Sequence, residues 1–131
     1  MKVSIESKGQ LYRTFLQTTP NPNPKLDYVT ELREQISSTL RVTLTYVPDK
    51  LLLRPKAFIA YLEAALPILA EPYESFAHVF LEDLNNEVVP RWLRIEIASE
   101  TVPTRRIVLI DNQPKWSNEP LLASLSNRHG E

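Results

Sequence analysis

The chain has 131 residues, 43% of them hydrophobic, and a formal net charge of −1. That length suits one domain with its own core, the near-neutral charge argues against a nucleic-acid-binding surface, and no apolar run approaches the ~20 residues that cross a bilayer. With no cysteine, two histidines and two glycines, disulfides, thiolate chemistry, a multi-histidine metal centre and a Gly-rich phosphate cradle are excluded.

The first stretch, MKVSIESKGQ, lacks the apolar core of a signal peptide, so a cytoplasmic protein is expected. Residues 1–23 are polar and end in prolines, which restrict the chain to extended or turn conformations; they read as an extended arm rather than a core element. DYVTELREQI, 27–36, is a strand candidate with Tyr28, Leu32 and Ile36 on one face. TLRVTLTYV, 39–47, is the clearest strand: Leu40, Val42, Leu44 and Tyr46 alternate with Arg41, Thr43 and Thr45. Ser37-Ser38 makes the pair a hairpin, and Pro48-Asp49 ends it.

Two helices follow. Pro55 suits a first helical turn, and Phe58, Tyr61, Leu62, Ala65 and Leu69 recur at three- and four-residue spacing. Pro67 inside that pattern predicts an end or kink near Leu66. Glu71-Pro72 opens a second helix running to about Glu87, with Phe76, Phe80 and Leu84 on its apolar stripe and His78 on the other side. Pro90 then breaks to RWLRIEIAS, where Leu93, Ile95 and Ile97 alternate with Trp92, Arg94 and Glu96. RRIVLID, 105–111, is a nearly continuous apolar strand whose leading arginines guard a sheet edge. Residues 112–131 show no strand pattern and read as a tail. The order strand-strand-helix-helix-strand-strand over 24–111 predicts an α+β layer, a four-stranded antiparallel sheet with both helices on one face.

In order, NPNPKLDY, VTLTYVPDK, KAFIAYL, LEDL and VPRWLRIEI resemble the 7-cyano-7-deazaguanine reductase (QueF-type nitrile reductase) family over residues 20 to 97. The resemblance implies the tunnelling fold (T-fold), NADPH as cofactor, and reduction of a nitrile to an amine in making the queuosine tRNA base. It places Glu74 where the family grips a guanine-like edge, with Tyr73 in place of a histidine. Ser38 stands where an aspartate proton donor belongs, and Arg54-Pro55-Lys56 replaces a Glu-Ser-Lys signature. The family's cysteine nucleophile has no counterpart.

A thioimide needs sulfur, and an unactivated serine is a poor substitute for a thiol or a carboxylic acid. No catalytic residue and no cofactor are therefore assigned, and nitrile reduction is not expected. Glu74 has two readings. A carboxylate accepts from a ring N–H and an exocyclic NH₂ together, which suits a purine-, deazapurine- or pterin-like ligand. An acidic first turn is also worth ~0.3–1 kcal/mol against the helix dipole with no ligand at all. Tyr73, Ser38, Arg54 and Lys56 complete the candidate ligand site. Relatives join their sheets into barrels with sites between subunits, so a homo-oligomer is expected, with neither a membrane nor a nucleic acid as partner. Two other readings stay open: an enzyme acting on a related deazapurine without cysteine, and a structural or interaction protein in which Glu74 only caps a helix.

Overall fold

Alternation along the chain decides which face each strand buries. In order, the computed structural model, which describes residues 12–69 and 72–128, has a 3₁₀ turn at Arg13–Phe15, β1 (Thr18–Pro20), β2 (Thr30–Gln35), β3 (Leu40–Val47) and β4 (Leu51–Leu53). Then come α1 (Pro55–Leu69), α2 (Tyr73–Glu87), β5 (Trp92–Ser99), β6 (Arg105–Asn112) and α3 (Glu119–Arg128). The class is α+β. One antiparallel sheet has the order β2-β3-β5-β6, and β1 pairs with β4 in a separate two-stranded ribbon. The expectations for residues 1–11, Glu71 and His129 lie outside the described residues.

The register puts Leu44 opposite Leu32 and Ile95, and Val42 opposite Ile97, so the even positions of β3 and the odd positions of β5 share one face. That face packs on α1 and α2. Tyr61 and Phe80 stack with centroids 4.8 Å apart, and Phe76 lies 5.6 Å from Phe80. All three are fully buried, and each such side chain contributes roughly 1.5–3 kcal/mol. The opposite face carries Glu31, Arg33, Arg41, Arg94, Glu96 and Arg106 around Thr43 and Thr45. Arg94 and Arg106 both pair with Glu96, at 3.2 and 2.8 Å. Burial pushes the Glu96 carboxyl up, but the Arg106 bond with Arg94 and Arg41 nearby holds it below the ordinary range.

Four features differ from the sequence expectation. The helix does not stop near Leu66: α1 runs through Pro67 to Leu69. Pro67 stands in its last turn, so only one backbone bond is forgone, while buried Leu66 and Leu69 still anchor the end in the core. The described part of the arm is not peripheral. Leu16 is 3% exposed in the core, Tyr12 packs edge-on against Tyr61 at 6.4 Å, and Thr18–Pro20 forms β1. β4 pairs with it, after a turn that the sequence reads only as a strand end. The tail holds α3, preceded by Trp116, whose indole Nε1 donates to Asp27 at 3.1 Å.

The end of α2 explains the break before β5. Val88 and Val89 N–H both donate to the Leu84 carbonyl, at 2.8 and 3.1 Å, and Val89 takes a left-handed φ of 52°. Such a helix stop usually uses glycine, and a β-branched residue there costs roughly 1–2 kcal/mol. Pro90 prevents the helix from resuming.

Candidate functional site

The first turn of α2 holds the residue on which the sequence argument turns. Pro72 is its N-cap, with extended backbone and no side-chain bond; its carbonyl accepts from Ser75 N–H at 3.0 Å, and the Tyr73 and Glu74 N–H groups have no partner among the described residues. Glu74 projects from that turn, exposed, and its carboxylate meets no partner among the described residues. Next to it, half-buried Tyr73 packs on the core and carries the Arg105 guanidinium 5.0 Å above its ring. That cation–π contact fixes the ring at about 0.5–1 kcal/mol. His78 Nδ1 donates back to the Glu74 carbonyl at 2.8 Å, on the exposed side of the helix.

Ser38 is exposed in the β2–β3 turn, which closes through Ile36 N–H to the Leu40 carbonyl at 2.8 Å. Its hydroxyl meets no base among the described residues, so nothing there activates it. Arg54 and Lys56 flank the start of α1, both exposed, at the rim of a cavity of about 1080 Å³. The cavity lies between the β1–β4 ribbon, β2 and α1, and neither Glu74, Tyr73 nor Ser38 lines it.

The five residues therefore form two groups at opposite ends of the sheet. β3 begins at Leu40 opposite Ser99, which in turn faces Arg105, so the Ser38 turn, Arg105 and Tyr73 share one end. Tyr46 lines the cavity from the other end of β3, where it faces Leu93. The 15 residues of α1 separate the groups by about 20 Å at 1.5 Å per residue. Within one subunit they do not converge.

The end that carries the cavity is held by polar contacts that sequence reasoning missed. Arg91 donates to Asp27 and Asp49, both at 3.0 Å, and to the Pro24 carbonyl. Asp27 also accepts from Trp116 and from Asn118 at 3.0 Å, and Asp49 from Gln113 at 3.2 Å. Burial pushes the Asp27 carboxyl up, yet the bonds from Asn118, Trp116 and Arg91 outweigh it and hold it below its usual value. Asn21, also buried, donates to the Asp49 carbonyl at 2.7 Å and accepts from Tyr28 Oη at 2.6 Å.

A second missed group lies inside the core. Asp83 is 1% exposed and accepts from Arg13 Nε and Tyr61 Oη, both at 2.6 Å. Burial drives its carboxyl above the usual range against those two bonds, and burial with the adjoining carboxylate drives the Tyr61 phenol upward. Asp83 falls three residues after Phe80, on the apolar stripe. An acid on that stripe was the signal.

Among the described residues no group of His, Asp or Glu is placed to hold a metal ion, and no helix is long and apolar enough to cross a membrane. No protein-family model matches the chain, and no curated protein matches it.

Proposed function

We propose that the chain is a T-fold relative of the 7-cyano-7-deazaguanine reductases. It binds a purine-, deazapurine- or pterin-like heterocycle between subunits of a homo-oligomer and does not reduce a nitrile. The observation that carries this is the Glu74 carboxylate, exposed and without a partner among the described residues, beside an aromatic ring held by Arg105. A planar ligand with adjacent ring N–H and NH₂ donors satisfies both carboxylate oxygens at once.

Further support comes from the antiparallel order β2-β3-β5-β6 with a helix pair on one face, which suits the T-fold plan. Ser38, Tyr73 and Glu74 share one exposed end of the sheet and carry this reading, whereas Arg54 and Lys56 at the other end take no part in it. The chemistry of the donor set argues against NADPH-driven reduction. No thiol is available in a chain without cysteine, Ser38 has no base, and Pro55 supplies neither the hydroxyl nor the N–H of the serine it replaces.

Calorimetric titration with guanine, 7-deazaguanine and pterin tests the reading. At least one should bind wild type, and Glu74→Ala should weaken it by a factor of about ten or more, the usual effect of losing a charge-assisted bidentate pair. No binding of any of them leaves Glu74 as a helix cap. Oxidation of NADPH with the cyano-deazaguanine substrate would overturn the denial of reductase chemistry, and a monomer at micromolar concentration would overturn the inter-subunit site.

A further inference from the structure

The cavity behind Arg54 and Lys56 is unexplained by the heterocycle reading, whose central residue stands at the other end of the sheet. Two cations line it and no aspartate or glutamate does, in a chain where acids slightly outnumber bases. Its depth is apolar. Leu32, Leu52, Leu53 and Ala60 contribute hydrocarbon, Phe15, exposed at 40%, stands beside them, and Thr14, Gln17, Thr19 and Thr30 add a few polar groups to a mostly apolar lining. Tyr28 and Tyr46 also line it, and each phenol oxygen already makes one hydrogen bond within the fold. Tyr28 Oη donates to Asn21, and Tyr46 Oη accepts the Leu53 N–H at 2.9 Å.

The rim differs from the depth. Arg54 Nε donates to the Thr18 carbonyl at 3.3 Å, which anchors the guanidinium on the β1–β4 ribbon and leaves both Nη groups without a partner among the described residues. Lys56, two residues on, is also without one. The volume of about 1080 Å³ matches the upper range of pockets that enclose drug-sized ligands, ~300–1,000 Å³. A neutral apolar ligand would leave both cations unused, and a cationic one would be repelled.

We propose that this cavity binds a small amphipathic anion, a flexible hydrocarbon body with one carboxylate or phosphate head held by Arg54 and Lys56. The body displaces water from the walls of Leu32, Leu52 and Ala60, and the head accepts from the free Nη groups and the Lys56 ammonium. The site is complete within one subunit and independent of Glu74.

Isothermal titration of the full chain with decanoate, decyl phosphate, decanol and decyltrimethylammonium tests this. At least one of the two anions binds with a Kd below about 100 µM, and the tighter one names the head. Decanol binds at least about ten-fold more weakly, and the cation not at all. The double variant Arg54→Ala/Lys56→Ala loses about ten-fold or more in anion affinity while keeping its unfolding midpoint, since both side chains are exposed. Ala60→Phe, which narrows the cavity, weakens the anions as well. Glu74→Ala leaves them unchanged, so failure of the heterocycle site and failure of this one are separable. Equal affinity for decanol and decanoate, undiminished binding in the double variant, or no heat from either anion at about 1 mM overturns the proposal.

Discussion

The two ends of the sheet are built differently. At the Trp92 end, Arg91 draws the loop before β2, the turn after β3 and the segment after β6 onto two carboxylates, and within that cluster each polar side chain has a partner, while Arg54 and Lys56 stand exposed at the cavity rim nearby. At the Ser99 end, Gln35 and Ser37 close the β2–β3 turn and Arg105 stacks on Tyr73, while Ser38 and Glu74 are exposed with no side-chain partner among the described residues. Satisfied polar groups hold a fold in register, whereas a free carboxylate at a helix start is available for recognition. The contrast separates structural ionisable residues from candidate recognition residues without reference to any relative.

Substitutions that break this contrast rank by how much of the built end they remove. The largest effect is expected from Asp83→Ala, which leaves the buried Tyr61 hydroxyl without its acceptor and Arg13 without its partner. Urea denaturation should show a loss of about 3 kcal/mol, with Asp83→Asn recovering part of it. Arg91→Ala comes next, at about 2 kcal/mol, because the cluster is only partly shielded from water.

A smaller effect distinguishes the two carboxylates by pH. Asp27 is held below its unfolded value of ~3.9, so its contribution is present above that value and is lost as pH falls through the lower folded one. Asp83 has the opposite sign. Its raised folded value means the contribution is full below the unfolded value and fades as pH rises through the folded one. Denaturation midpoints between pH 5 and pH 2 should fall less steeply in Trp116→Phe, which removes one donor to Asp27, by about 1 kcal/mol over the range. Asp83→Asn should steepen the acid loss instead. The smallest effect belongs to the open end: Glu74→Ala should change stability by no more than about 1 kcal/mol. A loss of 2 kcal/mol there would mean the carboxylate has a structural partner and would dissolve the contrast.

Much of the layer was legible in the sequence because burial imposes a period. Apolar and polar residues alternate from Leu40 to Tyr46 in β3 and from Leu93 to Ile97 in β5, and α2 keeps Phe76, Phe80 and Leu84 on one stripe. β4 was not, since three consecutive leucines carry no alternation, and β1 includes a proline that reads as a break. α3 follows a polar, proline-containing stretch and has no long apolar stripe to announce it. The site was legible residue by residue but not as an arrangement. Nothing in the spacing of Ser38, Arg54, Lys56, Tyr73 and Glu74 tells which end of a helix or strand faces which neighbour. The cavity was illegible for a related reason: its walls come from four separate stretches, and its two tyrosines look like ordinary core.

The Asp27 carboxylate, grasped by Arg91, Trp116 and Asn118 from the far half of the chain, has a practical consequence for dissecting this molecule. Excision after Asp111, where alternation along β6 gives out, would strip that oxygen pair of Trp116 and Asn118 and remove Gln113 from Asp49. The smallest autonomous fragment must therefore reach at least Asn118, and proteases should nick a shortened version first in the loosened stretch between Asn21 and Tyr28.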